Sequence, residues 1–294
     1  MTAAPVDLSV YLVTDTAQCA ARGRSVAETV ALAVAGGVTA VQIREKHATG
    51  REFLHTVLEV AAVLPERVTL IVNDRVDVFL AARAAGARVT GVHVGQSDLP
   101  PAAVRELIGE DAVLGLSAAT PEQLRAAAED PARVHHVGIG ALHATRTKAD
   151  APAPLGHAGF ARLARLSDLP AVAIGGITPA DLPRLRDAGA VGAAAVSGIC
   201  AAVDPRASAR AYARAWPRAR PENLARPRRA RADDRRIRLR RRPGSPPAPK
   251  AMPMPGAHGR SMLTAVTGQH SGAWRIPRDV PGDGLQRVPV EDLR

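Results

Sequence analysis

The chain has 294 residues, 46% hydrophobic but only 2% aromatic, so a buried core must be built from Ala, Val, Leu and Ile. Residues 1–215 hold 21 basic and 21 acidic side chains and residues 216–294 hold 18 and 7, so the tail carries the whole net charge of +11. The charge therefore gives no sign that residues 1–215 bind nucleic acid. The lack of a run of about 18 apolar residues argues against a membrane span.

Short apolar runs alternate with longer stretches rich in Ala, Leu, Arg and Glu along the first 215 residues. Runs of this kind, apolar throughout, are typical of parallel strands that are covered on both faces. The predicted strands span residues 9–13, 39–43, 68–72, 91–94, 112–116, 134–138, 171–174 and 191–196. The predicted helices span residues 25–36, 51–64, 75–86, 100–109, 121–130, 158–167, 179–188 and 205–215.

Eight β–α units in about 215 residues predict an α/β fold, a (β/α)8 TIM barrel at the short end of its size range. A doubly wound open sheet remains the alternative, because the number of strands alone does not prove closure. We place the barrel domain at residues 1–216.

The composition of the sequence changes after Trp216, where Pro and Arg dominate and apolar periodicity disappears. Such a segment buries too little surface to offset its ordering entropy, so we expect residues 217–294 to form a disordered tail. Three alternatives remain open for this segment: a second small domain, a natural extension without a fold, and out-of-frame translation of GC-rich DNA.

The N-terminus lacks a basic segment followed by an apolar one, so we expect no signal peptide. Cys19 and Cys200 match no metal or redox spacing and favour a reducing compartment. Together these features predict a cytoplasmic protein.

Polar side chains follow the second predicted strand, at the end of a barrel where active sites are built. Gln42, Arg44 and Lys46 alternate along the sequence, so a continuing strand would turn all three to one face. An amide and two cations suit an anionic substrate, although a charged loop in solvent would carry the same residues.

Carboxylates follow the third and fourth predicted strands. Asn73 and Asp74 come after one strand and Asp98 after the next, and each could equally cap the helix that follows. Because neighbouring strand ends lie close together, Asp74 and Asp98 could instead hold a Mg²⁺ that also takes substrate phosphate oxygens. His93, in the fourth strand, is expected to be a buried barrel residue.

Glycine and hydroxyl side chains dominate the later strand ends. Ser117 ends the fifth strand, and residues 140–148 form a polar loop that suits a mobile anion-binding lid. Gly175-Gly176 and Ser197-Gly198 follow the last two strands, where barrels of this type bind phosphate through backbone N–H groups.

The motifs together resemble the thiamine-phosphate synthase family over about residues 9–215. The motifs are Tyr11-Leu-Val-Thr-Asp15, Gln42-Ile-Arg-Glu-Lys46, Asn73-Asp-Arg-Val-Asp77, Gly91-Val-His-Val-Gly-Gln-Ser-Asp98, Leu114-Gly-Leu-Ser117, Thr145-Arg-Thr-Lys148, Ile174-Gly-Gly-Ile177 and Val196-Ser197. Each motif is weak alone, but the ordered set is specific.

The resemblance implies a transferase of thiamine biosynthesis that joins a pyrimidine diphosphate to a thiazole phosphate. Diphosphate would leave first, and the thiazole nitrogen would attack the resulting pyrimidine cation. The pyrimidine substrate would be bound by Gln42, Arg44, Lys46, Asn73, Ser117 and Lys148, the Mg²⁺ by Asp74 and Asp98, and the thiazole phosphate by Thr145, Thr147, Gly176, Val196 and Ser197. Arg44, Lys46, Lys148 and Ser117 would be the catalytic residues.

One motif departs from the family pattern. The lid usually reads Gly-Pro-aliphatic-Phe-Pro before its first Thr, whereas this chain has Gly140-Ala-Leu-His143-Ala144. Two prolines and an aromatic residue are replaced, which predicts a looser lid and slower turnover.

Two other functions remain open. A thiazole phosphate tautomerase of the same fold would need the thiazole site but not the diphosphate and Mg²⁺ residues. A nucleic-acid-binding protein would act through the Arg-rich tail, although Trp216 and Trp274 are its only aromatic residues and form no stacking platform. The sequence leaves the oligomeric state open, a homo-oligomer included.

Overall fold

The computed structural model describes residues 6–145 and 153–216, which form a closed barrel of parallel strands paired in chain order. The strands are β1 (Val10–Val13), β2 (Ala40–Ile43), β3 (Thr69–Asn73), β4 (Gly91–Val94), β5 (Val113–Ser117), β6 (His136–Ile139), β7 (Ala171–Ile174) and β8 (Gly192–Ala195). Strand β1 pairs with β8, for example Tyr11 with Ala194, so the sheet closes. The predicted barrel is confirmed and the open sheet is wrong.

Helices cover the outside of the barrel. In the described residues they are α1 (Thr16–Ala20), α2 (Val26–Gly36), α3 (Gly50–Val63), α4 (Val76–Ala84), α5 (Pro101–Ile108), α6 (Pro121–Glu129), α7 (Gly156–Leu166), α8 (Leu182–Asp187), α9 (Ser197–Cys200) and α10 (Pro205–Ala215), with a 3-10 turn at Pro179–Asp181 before α8. The short helices α1 and α9 were not predicted, because four or five residues carry no apolar periodicity.

Side-chain caps fix where several helices begin. Ser25 and Thr49 form capping boxes with Glu28 and Glu52 at the starts of α2 and α3. Thr120 accepts a hydrogen bond from the Gln123 backbone at the start of α6, as its Thr-Pro signature predicted.

The strands separate two buried regions. Their outward side chains, Leu12, Val41 and Leu70 among them, pack under the helices in the main core. Inside the barrel Tyr11, Ile71, Val172 and their neighbours form a second cluster. Alternate residues of every strand therefore serve the helix layer and the barrel interior, as period two requires.

Helix α10, the last helix of the barrel, lies between α2 and α8 on its outside. It packs against α2 at Gly36, where an added Cβ would lie 2.4 Å from the Arg206 carbonyl oxygen. The buried Tyr212 hydroxyl donates a hydrogen bond of 2.7 Å to the Ile177 carbonyl oxygen. The last helix thereby supports the loop that follows β7.

Some sequence predictions fall outside the described residues: those for Thr147, Lys148 and the tail 217–294. Among the helices of residues 6–145 and 153–216, none combines the length and apolar character needed to cross a bilayer.

Candidate active site

A cavity of about 790 Å³ opens at the carboxyl ends of the strands. It brings together every described residue that the sequence predicted for the site. They are Gln42, Arg44, Lys46, Asn73, Asp74, Asp98, Ser117, Thr145, Gly176, Val196 and Ser197. The prediction that polar residues at separate strand ends converge is therefore correct for this part of the chain.

The amide and the two cations after β2 line one wall of the cavity. Gln42 is buried inside the barrel, and its Nε2 donates a hydrogen bond of 2.8 Å to the Tyr11 hydroxyl. Strand β2 ends at Ile43, at its predicted end, so no continuing strand turns Gln42, Arg44 and Lys46 to one face. The backbone N–H of Arg44 instead donates to the Thr14 hydroxyl at 3.0 Å, which anchors the start of a loop.

The two carboxylates after β3 and β4 adjoin each other. Burial, followed by the charge of Asp98 and a hydrogen bond with it, raises the pKa of the Asp74 carboxyl to about 6, although Lys46 and Asn73 oppose this. Asp74 adopts a left-handed backbone with φ of 59°, rare for a residue other than glycine.

Neither carboxylate caps a helix, which removes the alternative interpretation of the sequence. Helix α4 has Arg75 at its N-cap and α5 has Pro100, and neither helix has a side-chain cap. The Asp98 carboxylate accepts a hydrogen bond of 2.6 Å from the Gly95 backbone within its own loop. The pair is therefore a local concentration of negative charge beside Lys46.

The floor of the cavity contains two imidazoles that sequence reasoning left out of the site. His93 Nε2 lies 3.1 Å from the Ser117 hydroxyl, and the His93 and His136 rings stand 5.4 Å apart. Gly115 makes room for both, because an added Cβ would lie 2.4 Å from His93 Nδ1 and 2.5 Å from His136 Cε1.

His136 is buried and lines the cavity beside Tyr11. Burial, then the neighbouring His93 and His135, lower its pKa well below the usual value, so the ring is neutral. Neither ring nitrogen makes a hydrogen bond within the described part of the chain. A histidine among apolar strand residues gave no signal in the sequence, since its direction depends on the register of β6.

The opposite wall is built from backbone and small side chains. Gly175 and Gly176 have φ of 100° and 64°, and an added Cβ on Gly176 would lie 2.9 Å from the His143 Cβ. The His143 backbone N–H donates to the Gly175 carbonyl at 3.0 Å. Val196 and Ser197 continue this wall after β8, and we call it the glycine wall. Its backbone N–H groups can bind an anion.

The sequence matches the family model described as thiamine monophosphate synthase over residues 10–199. It is 47% identical to the thiamine-phosphate synthase of Azorhizobium caulinodans over 207 residues, which cover 70% of this chain and 93% of the relative. It is 45% identical to that of Xanthobacter autotrophicus over 217 residues, 74% of this chain and 99% of the relative.

A solved structure supports the same assignment. The thiamine phosphate pyrophosphorylase of Pyrococcus furiosus is 28% identical and superposes with a TM-score of 0.62, covering 72% of this chain and 96% of that one. The 3-hexulose-6-phosphate synthase, 20% identical with a TM-score of 0.52, shares the fold. The chain belongs to the thiamine monophosphate synthase family of transferases, as its motifs predicted.

Proposed function

We propose that the chain condenses 4-amino-2-methyl-5-(diphosphooxymethyl)pyrimidine with thiazole phosphate to give thiamine phosphate and diphosphate. Membership of the family supports this reaction. The observation that carries it is that one cavity is lined both by Arg44, Lys46 and the carboxylate pair, and by the glycine wall opposite. A thiazole phosphate tautomerase would not need Arg44, Lys46 and the carboxylate pair.

The cationic wall is proposed to bind the diphosphate. Arg44 and Lys46 both line the cavity, and each would stabilise the negative charge that builds on the leaving group. Lys148 is proposed to join them, although it lies outside the described residues. These cations favour departure more than binding, because the negative charge on the leaving group grows as the C–O bond breaks.

Asp74 and Asp98 are proposed to hold Mg²⁺. The two adjoining carboxylates repel each other when both are charged, and the pKa of Asp74 is raised to about 6. A divalent cation bound between them would offset this repulsion. Mg²⁺ bound there supplies charge neutralisation for the diphosphate oxygens.

Polar groups of the cavity wall and floor are proposed to orient the pyrimidine. Gln42, Asn73 and Ser117 offer amide and hydroxyl groups, and His136 adds one donor and one acceptor nitrogen in a neutral ring. The bond from the pyrimidine methylene to oxygen breaks, diphosphate takes the electron pair, and the thiazole nitrogen forms the new C–N bond. The cavity holds the two reactants in attack geometry.

The glycine wall is proposed to bind the thiazole phosphate. Gly176, Val196 and Ser197 line it, and Thr145 lies at its edge. Backbone N–H groups can approach a phosphate closely where side chains are absent. Thr147, outside the described residues, is proposed as a further contact.

We further propose that residues 1–216 are the complete catalytic domain and that the enzyme acts in the cytoplasm. The stretch that matches the Azorhizobium relative is 70% of this chain yet 93% of the relative. Helix α10 ends at Ala215. Activity of residues 1–216 equal to that of the full chain would support this division, and inactive but folded protein would contradict it.

The test is formation of thiamine phosphate by the full chain from the two substrates, with and without Mg²⁺. Asp98→Asn keeps the acceptor for the Gly95 N–H but removes the charge, so we expect much weaker Mg²⁺-dependent activity. Asp111→Asn, an exposed carboxylate just before β5, is the control. Absence of product with intact substrates, or product that needs no Mg²⁺, would contradict the proposal.

A further inference from the structure

A second group of metal-ligating side chains lies behind the glycine wall. It consists of His143 in the loop after β6, His157 in the first turn of α7, and Asp181 in the 3-10 turn before α8. None of the three lines the substrate cavity. We name this group the His-His-Asp cluster.

The three side chains converge on one carboxylate oxygen. Asp181 Oδ1 lies 2.9 Å from His143 Nε2 and 3.0 Å from His157 Nε2. One ligand atom from each residue lies within 4.8 Å of the other two. In a tetrahedral Zn²⁺ site with bonds of about 2.0–2.2 Å, neighbouring ligand atoms stand about 3.3 Å apart, so small side-chain shifts suffice.

Hydrogen bonding accounts for only part of this arrangement. His143 Nε2 makes a hydrogen bond with Asp181, but the buried His157 Nε2 makes none of acceptable geometry within the described part of the chain. The two rings meet edge to face at 5.5 Å, which leaves both nitrogens directed at the same oxygen. A buried imidazole nitrogen without a hydrogen bond is an unusual feature and suits a ligand atom.

The carboxylate is held ready in its charged form. Its other oxygen, Asp181 Oδ2, accepts hydrogen bonds from the Thr178 backbone at 2.8 Å and the Thr178 hydroxyl at 2.7 Å. Burial of Asp181 alone would raise its pKa, but the hydrogen bonds from His143 and Thr178 outweigh this and lower it. Such outer contacts orient a ligand.

We propose that the His-His-Asp cluster binds a Zn²⁺ ion, with the fourth position open to water. Two imidazoles and a carboxylate suit Zn²⁺ and its neighbours in the first transition row, whereas Mg²⁺ prefers oxygen ligands. The side chains of His143 and His157 are 41% and 29% exposed, so an ion can enter from solvent. This site is separate from the carboxylate pair after β3 and β4.

The bound ion would join three elements that border the glycine wall. His143 donates its backbone N–H to Gly175, and Asp181 holds Thr178, so two ligands also contact the loop after β7. Metal binding would therefore stiffen this loop from behind, without touching the substrate.

The direct test is titration of the metal-free full chain with Zn²⁺, in the presence of excess Mg²⁺. His143→Gln and His157→Gln each remove one ligand, and His55→Gln, an exposed histidine of α3, is the matched control. We expect one Zn²⁺ per chain, bound more weakly in both ligand variants by more than the roughly 10- to 100-fold that loss of an outer partner costs. His55→Gln should bind as the unchanged protein does.

Two further readouts separate this site from the other metal site and from misfolding. Co²⁺ bound at the cluster should give visible ligand-field bands, present in Asp98→Asn and absent in His157→Gln. Zn²⁺ should raise the melting temperature of the unchanged chain but not of the ligand variants, whose metal-free melting temperatures should match it. Equal Zn²⁺ affinity in all variants, or no stoichiometric binding to the unchanged chain, would overturn the inference.

Discussion

The two walls of the cavity offer an anion different chemical groups. The wall after β2, β3 and β4 uses charged side chains, with Arg44 and Lys46 next to the Asp74 and Asp98 carboxylates. The wall after β7 and β8 uses glycine and backbone, without a described Lys or Arg lining the cavity there. Charged side chains suit a group whose charge changes during reaction, whereas a rigid backbone suits a phosphate that is only held.

The largest expected effect comes from the charged wall. Arg44→Ala should lower kcat by about 10²–10³-fold, the scale reported for loss of one preorganised donor to developing charge. The KM for thiazole phosphate should change little. Steady-state kinetics on both substrates measures this, with Arg51→Ala, an exposed arginine of α3, as the control. A pure KM effect would mean that Arg44 binds both states equally.

The glycine wall should respond in the opposite way. Gly176→Ala places a Cβ 2.9 Å from the His143 Cβ at a φ of 64°, so the wall must shift. We expect the KM for thiazole phosphate to rise roughly 10- to 100-fold, equivalent to about 1.4–2.8 kcal/mol of lost binding. The KM for the pyrimidine substrate should stay near its original value.

The control for this change is Gly189→Ala. Gly189 also has a positive φ of 99°, but an added Cβ there meets no atom within 4 Å. Both variants should lose about 1–2 kcal/mol of unfolding free energy from the left-handed backbone. If Gly189→Ala raises the KM equally, backbone strain and not the wall explains the effect.

A substitution in the floor of the cavity can affect substrate binding without lowering the stability of the fold. His136→Leu removes two buried nitrogens that lack hydrogen bonds in the described residues. The KM for the pyrimidine substrate should rise up to about tenfold, the value of one hydrogen bond of about 1.4 kcal/mol. The free energy of unfolding in urea should not fall, and a marked loss would mean that the imidazole serves packing alone.

The smallest effects should come from two tyrosines that each support one wall. Tyr11 accepts a hydrogen bond from Gln42, and Tyr212 donates one to the Ile177 carbonyl. Phenylalanine at either position should cost about 1 kcal/mol of unfolding free energy. Tyr11→Phe should raise only the pyrimidine KM, by a few-fold, and Tyr212→Phe only the thiazole phosphate KM. An effect of either change on both substrates would mean that the two walls do not act separately.

The barrel was accessible from the sequence because its signals are local. Each strand is a short run that is buried on both faces, and capping residues such as Thr120 mark where helices begin. The single face expected for Gln42, Arg44 and Lys46 does not form, because it needed the strand to continue to Lys46 and β2 ends at Ile43.

We predicted the site residues at strand ends, which a barrel topology brings together, and Asp74 and Asp98 do adjoin each other in one cavity. Local sequence could not decide between a helix cap and a cation site there, because both use the same residues. His136 and the His-His-Asp cluster were missed for a different reason. Their proposed roles depend on strand register and on contacts between His143, His157 and Asp181, which are distant in sequence.

The most direct test of two separate anion sites is to measure by calorimetry how the chain binds diphosphate with Mg²⁺ and how it binds thiazole phosphate. Each ligand is titrated alone and then with the other ligand at saturation. Both ligands should bind the same molecule at once, one of each per chain. Arg44→Ala should weaken only diphosphate, and Gly176→Ala only thiazole phosphate. Mutual exclusion of the two ligands, or equal weakening of both by each variant, would contradict two separate anion sites.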